Sequence, residues 1–296
     1  MFHPHLSYDE PLFRPPSEAN SLIFQVTLGC SWNKCAFCEM YTSKKFKLKK
    51  EEEIYNEIES FSSFSNDVRK VFLADGNAFV LSFEKLSKIL DKLNSSFPRL
   101  RRISAYALPK DILSKSNDEL KILVEKGLKL LYIGIETGDD ELLKLIDKGE
   151  TFESTSKALI KAKKAGIKLS VMILNGLGGK KYSEQHAINS AKVVNDIQPE
   201  YLSTLVLSYP YGVDHYKQRF NGHFEELNQV ELIAEMGKFI NHLHLENTIF
   251  RSDHASNYLV LKGILNRDKE ELLSRIMKVL NDPANARLRP EWLRGL

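Results

Sequence analysis

Six apolar, β-branched or aromatic runs follow one another at regular intervals along the first two thirds of the chain. They begin near Leu22, Val68, Ile103, Leu128, Ile167 and Tyr201. The segments between them have the spacing of amphipathic helices. Strands that alternate with helices in this way favour a parallel sheet joined by right-handed crossovers. The runs are apolar on both faces, which is typical of strands buried between helices.

This pattern predicts an α/β fold, namely a partial (β/α)6 barrel of the TIM type with parallel strands, followed by a mainly helical C-terminal extension. Four prolines in the first twenty residues predict an extended N-terminal arm over residues 1–20. The core domain is predicted over residues 21–215 and the helical C-terminal region over residues 216–296. Within that last region, residues 224–247 have the spacing of one long helix.

The composition is ordinary for a globular protein. Of the 296 residues, 43% are hydrophobic and 27% charged, and the net charge is +3. So small a charge gives no clear nucleic-acid footprint, and no apolar run approaches the ~20 residues of a membrane span. The first residues do not resemble a secretory signal. We therefore expect a cytoplasmic protein without a membrane partner.

The three cysteines of the chain lie within nine residues, directly after the first apolar run, at Cys30, Cys35 and Cys38. A disulfide framework would favour an even number of cysteines spread along the chain. Three thiols on one short loop indicate a single metal centre, with one coordination position left for another ligand.

Polar or glycine-rich segments follow all six runs. In parallel β/α folds, functional residues gather at the carboxyl ends of the strands, so these segments are expected on one rim. In chain order they are the three cysteines, Asp75-Gly76-Asn77, Tyr106, Glu136-Thr137-Gly138, Gly176-Leu177-Gly178-Gly179 and Ser208-Tyr209.

Over about residues 20–215, these motifs resemble the radical S-adenosylmethionine (radical SAM) superfamily. The resemblance rests on the cysteine loop, with Phe37 before its last cysteine, and on the motifs at Asp75, Glu136 and Gly176. It is nearest to the branch of oxygen-independent coproporphyrinogen oxidases, methylthiotransferases and elongator-type enzymes. The usual cysteine spacing in that superfamily is three and then two intervening residues, whereas this loop has four and then two.

The resemblance implies an oxygen-sensitive radical SAM enzyme with one 4Fe-4S cluster, ligated by Cys30, Cys35 and Cys38. It further implies that S-adenosylmethionine binds the open iron and is reductively cleaved to a 5′-deoxyadenosyl radical, which abstracts hydrogen from a substrate. An electron donor such as flavodoxin or ferredoxin is the implied partner. The substrate, the reaction class (oxidoreductase or transferase) and any catalytic side chain are left open.

The resemblance also implies a set of residues that bind the cofactor: Phe37, Asp75, Gly76, Asn77, Ser104, Glu136, Lys148, Gly176 and Gly178. Most have a plainer alternative. The residues after the second strand also suit a β-to-α turn, and the two glycines of the fifth strand end suit a tight turn. Glu136 is placed to cap the next helix together with Asp139 and Asp140. Lys148 also suits a solvated helix end.

Four further residues are predicted to contact the substrate: Tyr106, His254, Ser256 and Asn257. Packing in the core is the alternative for Tyr106. For the other three, the alternative is a helix N-cap at Ser252 or Asp253. We also expect His186 to open an amphipathic helix and cap it.

Two functions of other classes remain open. One is a structural zinc module, in which a histidine joins the three cysteines. The other is an iron–sulfur protein for electron transfer or sensing. The second would have no need of polar residues at five further strand ends.

Overall fold

The computed structural model of the protein describes residues 8–61 and 65–294. Its strands are β1 (Leu22–Gln25), β2 (Thr27–Leu28), β3 (Lys47–Leu48), β4 (Lys70–Ala74), β5 (Arg102–Tyr106), β6 (Leu128–Glu136), β7 (Lys168–Asn175), β8 (Tyr201–Val206), β9 (Thr248–Ser252) and β10 (Leu261–Leu265). Its helices are α1 (Glu51–Ser60), α2 (Phe83–Ser96), α3 (Pro109–Leu113), α4 (Asn117–Glu125), α5 (Asp140–Leu145), α6 (Phe152–Lys164), α7 (Gly179–Ile197), α8 (Val213–Arg219), α9 (Gln229–Asn241) and α10 (Lys269–Asn281).

The six predicted strands correspond to β1, β4, β5, β6, β7 and β8. Strands β1, β4, β5 and β6 are parallel neighbours in this order. Strands β7, β8 and β9 are likewise parallel neighbours, and β10 adds to β9 in the antiparallel direction. Leu22 lies opposite Val71, and Ser170 opposite Tyr201. The predicted α/β fold with parallel strands is confirmed.

The chain divides into two compact units. The first comprises residues up to 33, residues 38–133 and residues 157–169. Its core contains the fully buried Phe24 and Phe72, together with one face of α2. That face carries Leu86 and Leu90, whose spacing matches the helical period. A capping box begins α4, with the side chains of Ser116 and Glu119 each bonded to the other's backbone amide.

The N-terminal arm is tied into this first unit by a buried carboxylate. Glu18 accepts hydrogen bonds from Arg102 Nη2 at 2.7 Å, Ser104 Oγ at 3.0 Å and Tyr132 OH at 2.6 Å. A carboxylate inside a core is tolerated when its oxygens are hydrogen-bonded in this way. The first seven residues of the predicted arm lie outside the described residues.

The second unit comprises residues 34–37, 134–156 and 170–296. The helix predicted over residues 224–247 is shorter than expected. Helix α9 begins after Asn228, whose side chain and Glu231 form a capping box, and it ends at Asn241. The C-terminal region also contains β9 and β10, which were not predicted because their short apolar runs lack a clear period. Among the described residues, no helix is long and apolar enough to cross a membrane.

Candidate functional site

The three cysteines lie on the loop between β2 and β3. None of them forms a disulfide; Cys35 is buried, and Cys30 and Cys38 are partly exposed. Within residues 8–61 and 65–294, no three His, Cys, Asp or Glu side chains are grouped closely enough to hold a metal ion. Residues 34–37 of the loop belong to the second unit and the remainder to the first. The contacts of these two parts are therefore described separately.

In the first unit, Asp75 holds the loop at two points that flank the cysteines. Its Oδ2 accepts hydrogen bonds from the amide of Gly29 at 3.1 Å and from Lys44 Nζ at 2.9 Å. The side chains of Asp75 and Lys44 are 0% and 4% exposed. Removing one partner of a buried ion pair is costly because the other charge is left without water. Asp75 therefore fixes the backbone next to Cys30.

Asn77 holds the loop between its first two cysteines. Its Nδ2 donates to Ser31 Oγ at 2.7 Å and to Asp111 Oδ2 at 2.6 Å. Among the described residues, its buried Oδ1 has no hydrogen-bond partner. A buried polar atom without a partner costs about 1–3 kcal/mol. This oxygen is therefore a candidate acceptor for a donor group on a ligand.

Gly76 allows Tyr41 to pack against the end of β4. A Cβ atom at position 76 would lie 2.5 Å from Tyr41 Cε2. Burial raises the pKa of the Tyr41 phenol, and the nearby Asp75 carboxylate raises it further. The buried phenol is therefore neutral, and among the described residues its hydroxyl has no hydrogen-bond partner. The plainer alternative of an ordinary turn does not account for these buried contacts.

Ser104 and Tyr106 lie on β5 and have partners within the first unit. The hydroxyl of Ser104 donates to Glu18 at 3.0 Å. The ring of Tyr106 packs edge-on against Phe72 and Tyr132, with centroid distances of 5.2 and 6.1 Å. Both side chains thus make the contacts of core residues, and their roles toward cofactor and substrate stay predictions.

In the second unit, Glu136 ends β6 and pairs with Lys148 at 3.2 Å. Their side chains are 10% and 6% exposed, so the lysine is not solvated at a helix end. A Cβ atom on Gly134 would lie 1.8 Å from Glu136 Oε1, so glycine makes room for the carboxylate. The cap of α5 is Asp139, whose Oδ1 accepts from the amide of Leu142 at 2.9 Å. Glu136 is therefore not needed as a cap.

The middle of the cysteine loop is held within this second unit. Arg219 Nη2 donates to the carbonyl of Cys35 at 2.8 Å, and the amide of Ala36 donates to the carbonyl of Ile146 at 2.8 Å. The Lys148 ammonium lies 5.5 Å from the centre of the Phe37 ring, within range of a cation–π contact. Phe37 thus connects the loop to the Glu136–Lys148 pair.

The glycine segment after β7 forms a tight turn. Gly176 has φ +82°, a conformation that favours glycine, and its amide donates to Glu235 Oε1 at 2.7 Å. At Gly178 a Cβ atom would lie 2.6 Å from Tyr182 Cβ. The preceding Asn175 has a buried Oδ1 with no hydrogen-bond partner among the described residues. The tight turn is present and leaves one acceptor available beside it, and cofactor contacts of Gly176 and Gly178 stay predictions.

Two buried residues that we did not predict as functional, Glu235 and His186, connect the ends of β6 and β7. His186 Nδ1 and Thr137 Oγ1 are hydrogen-bonded at 2.8 Å, and His186 Nε2 lies 3.8 Å from Glu235 Oε1. Burial raises the pKa of Glu235 to about 7 and lowers the pKa of His186 to about 4. The expectation that His186 caps a helix is wrong, since it lies in the middle of α7. In the sequence, the feature that could have identified Glu235 is a carboxylate at a position on the apolar face of α9.

The polar cluster at residues 254–257 holds a turn against β8. His254 Nδ1 and Ser256 Oγ are 2.9 Å apart, Ser256 Oγ accepts from the amide of Val206 at 3.2 Å, and Asn257 Nδ2 donates to the carbonyl of Thr204 at 2.8 Å. The alternative of an N-cap is wrong, because the next helix begins only at residue 269. A contact of this cluster with substrate stays a prediction.

The fold and the loop define the class of protein: parallel α/β, with three cysteines after the first strand. The family model of the radical SAM superfamily matches residues 24–192. The chain therefore belongs to the radical SAM superfamily. Membership implies an enzyme that uses a 4Fe-4S cluster and S-adenosylmethionine.

Two curated relatives and one solved structure illustrate the likeness. The heme chaperone HemW of Bacillus subtilis is 28% identical over 127 residues, which are 42% of this chain and 34% of that protein. An uncharacterised protein of Methanocaldococcus jannaschii is 23% identical over 282 residues, or 91% of this chain and 78% of the relative. The chain thus spans about a third of the heme chaperone and most of the second relative.

The radical SAM enzyme coproporphyrinogen III oxidase (HemN) of Escherichia coli matches in structure with a TM-score of 0.58. The match has 16% identity and covers 75% of this chain and 52% of that enzyme. At this identity the match shows a shared fold.

Proposed function

We propose that the chain is a radical SAM enzyme that binds one 4Fe-4S cluster through Cys30, Cys35 and Cys38 and abstracts hydrogen from a substrate that is still to be identified. The observation that carries this proposal is the anchoring of the cysteine loop. Buried polar side chains at the end of β4 hold it at Gly29 and Ser31. A loop that served only as a connection would have no need of a buried ion pair.

In kind and number, the three thiols are the donors that the cluster needs. Three thiolates are the usual protein ligands of a 4Fe-4S cluster with one open iron. None of the three thiols is consumed by a disulfide. The unpartnered buried oxygens of Asn77 and Asn175 fit a ligand that brings hydrogen-bond donors, such as ammonium or amino groups.

When bound, the cluster supplies the electron that cleaves S-adenosylmethionine to the 5′-deoxyadenosyl radical. The side chains of the protein bind and orient. Asn77 Oδ1 would accept from the ammonium group of the cofactor, and Lys148 would bind its carboxylate. Glu136 would accept from ribose hydroxyls, and its pairing with Lys148 keeps both charges compensated without the cofactor.

The proposal includes an electron donor of the flavodoxin or ferredoxin kind and a cytoplasmic location, where thiols stay reduced. The proposal specifies neither the reaction class nor the substrate.

Anaerobic reconstitution with iron and sulfide tests the proposal. We expect a brown protein with a sulfur-to-iron charge-transfer band, and an EPR signal of the reduced cluster that changes when S-adenosylmethionine is added. Reduction in the presence of the cofactor should then release 5′-deoxyadenosine. Stoichiometric zinc without a response to the cofactor would identify the structural zinc module instead. A cluster without any response to the cofactor would identify an electron-transfer or sensor protein.

A further inference from the structure

A cavity of about 200 Å³ lies within the second unit, at the carboxyl ends of β7 and β8. It reaches Gly176 after β7, and Ser208 and Tyr209 after β8. The carboxyl ends of parallel strands are where ligands bind in α/β folds. The other walls come from the segment before α9, from the turn at Tyr258 and from the tail at Arg294.

One carboxylate of the cavity is compensated and one is not. Glu291 accepts from Arg294 Nη1 at 2.5 Å and from the Tyr258 hydroxyl at 2.8 Å, so both of its oxygens have partners. Glu226 has no hydrogen-bond or salt-bridge partner in the described part of the chain. The cavity wall therefore carries one uncompensated negative charge.

Two tyrosine rings share the wall with this charge. Tyr209 is held in place by Tyr216 and Phe224, with centroid distances of 5.7 and 6.4 Å. Tyr209 and Glu226 line the same cavity. Burial raises the pKa of Tyr209 and the Glu226 carboxylate raises it further, while Arg294, which is paired with Glu291, lowers it. The guanidinium of Arg294 lies 4.0 Å from the centre of the Tyr258 ring, so that ring already carries one cation. Aromatic faces and a carboxylate together attract cations.

We propose that this cavity binds a small organic cation, a primary amine, whose ammonium group lies on the Glu226 carboxylate and against the ring of Tyr209. The volume equals that of roughly seven waters at about 30 Å³ each, which suits an amine with a short carbon chain. The apolar side chains of Leu227 and Leu232 line the wall that such a chain would contact. The cavity includes Gly176, a residue predicted to bind the cofactor. That the amine is the substrate of the enzyme rests on the proposed function.

The test is to measure the binding of n-butylamine to the full chain by ligand-observed NMR. The neutral probe of similar size is n-butanol. We expect the amine to bind on the order of tenfold or more tightly than the alcohol. Glu226→Gln removes the charge at an exposed position and should abolish this preference. Glu225→Gln is the matched control, because the Glu225 side chain pairs with Lys180 at 2.6 Å and is not part of the cavity wall.

Equal binding of the amine and the alcohol, absence of amine binding, or the same loss in both glutamate variants would overturn the proposal. The measurement needs neither cluster nor S-adenosylmethionine, so such a result leaves the proposed radical chemistry standing. Conversely, binding of butylamine through Glu226 without any cleavage of the cofactor would support the amine site and contradict the proposed radical SAM function.

Discussion

The two units hold the cysteine loop by different kinds of interaction. In the first unit the contacts are polar and buried: Asp75 binds Gly29 and Lys44, and Asn77 binds Ser31. The second unit also hydrogen-bonds the loop, through Arg219 and the carbonyl of Ile146, and adds apolar packing to these bonds. Ala36 and Phe37 pack there against a cluster rich in aromatic side chains that includes Tyr216, Phe220 and Phe224.

The comparison distinguishes contacts that orient the loop backbone from contacts that stabilise the loop by buried area. Hydrogen bonds to a buried carboxylate fix the orientation of a backbone amide, and they are lost entirely when one partner is removed. Aromatic packing contributes much buried area and tolerates changes of shape. We therefore expect the residues flanking Cys30 to depend sharply on single side chains, and residues 36 and 37 to depend on the whole cluster.

The cysteine ligands should show the largest effect. Cys30→Ala, Cys35→Ala and Cys38→Ala are each expected to abolish cofactor cleavage, because the cluster loses one of its three thiolates. Each variant should remain folded by circular dichroism. Release of 5′-deoxyadenosine by any of them, measured by mass spectrometry after reconstitution, would contradict the ligand assignment for that cysteine.

Asp75→Ala tests the polar half of the comparison. It leaves the buried Lys44 with only Asp9 as its partner, at 3.3 Å. We expect a loss of about 3 kcal/mol in the free energy of unfolding, the lower end of the range for a broken buried pair, together with a lower iron content after reconstitution. Chemical denaturation and iron analysis measure the two effects. The matched control is Asp91→Asn, which breaks the exposed pair with Lys126 and should change little. Equal effects of the two variants would break the comparison.

The buried Glu235 predicts a pH dependence in the second unit. Its pKa is raised from 4.5 to about 7, so the folded state binds more protons than the unfolded state between these values. Its contribution to stability is full below about pH 4.5 and is lost as the pH rises through about 7, by at most about 1.4 kcal/mol per pH unit.

His186 has the opposite sign, since its pKa is lowered from 6.5 to about 4 and its contribution grows as the pH rises across that interval. Glu235→Gln should therefore gain stability relative to the wild type between pH 4.5 and 7. Denaturation midpoints over a pH series measure this, and a difference independent of pH would exclude titration of Glu235 in this range.

Glu136→Ala separates cofactor binding from cluster assembly. We expect affinity for S-adenosylmethionine to fall about tenfold, or about 1.4 kcal/mol. Iron content should stay near that of the wild type, since the Glu136 side chain pairs with Lys148 and all three thiols are kept. Titration calorimetry on the reconstituted protein measures the affinity. An unchanged affinity of the variant for S-adenosylmethionine would show that Glu136 only pairs with Lys148 and does not bind the cofactor.

Phe220→Leu tests the apolar half of the comparison and should have the smallest effect. Phe220 is 4% exposed and contacts Tyr216 and Phe224 with centroid distances of 5.7 and 5.5 Å. Losing the aromatic contacts should cost about 1 kcal/mol in unfolding free energy, with cluster loading retained. A loss of iron as large as that of Asp75→Ala would show that packing, too, sets the direction of the loop.

The order of strands and helices could be predicted because it depends on local patterns. The apolar runs and the capping box at Ser116 each depend on a few neighbouring residues. The short strands β9 and β10 and the length of α9 could not be predicted. A brief apolar run is compatible with a strand or a helix, and tertiary contacts determine which of the two forms.

The sequence by itself determined the parallel α/β fold and the three-cysteine loop, because spacing along the chain is enough to place both. Only the tertiary structure decided how the loop is supported. Asp75 binds Lys44 across 31 positions, and Gly176 binds Glu235 across 59. Such pairings depend on which side chains a burial site leaves within hydrogen-bond distance, and no spacing along the chain records that.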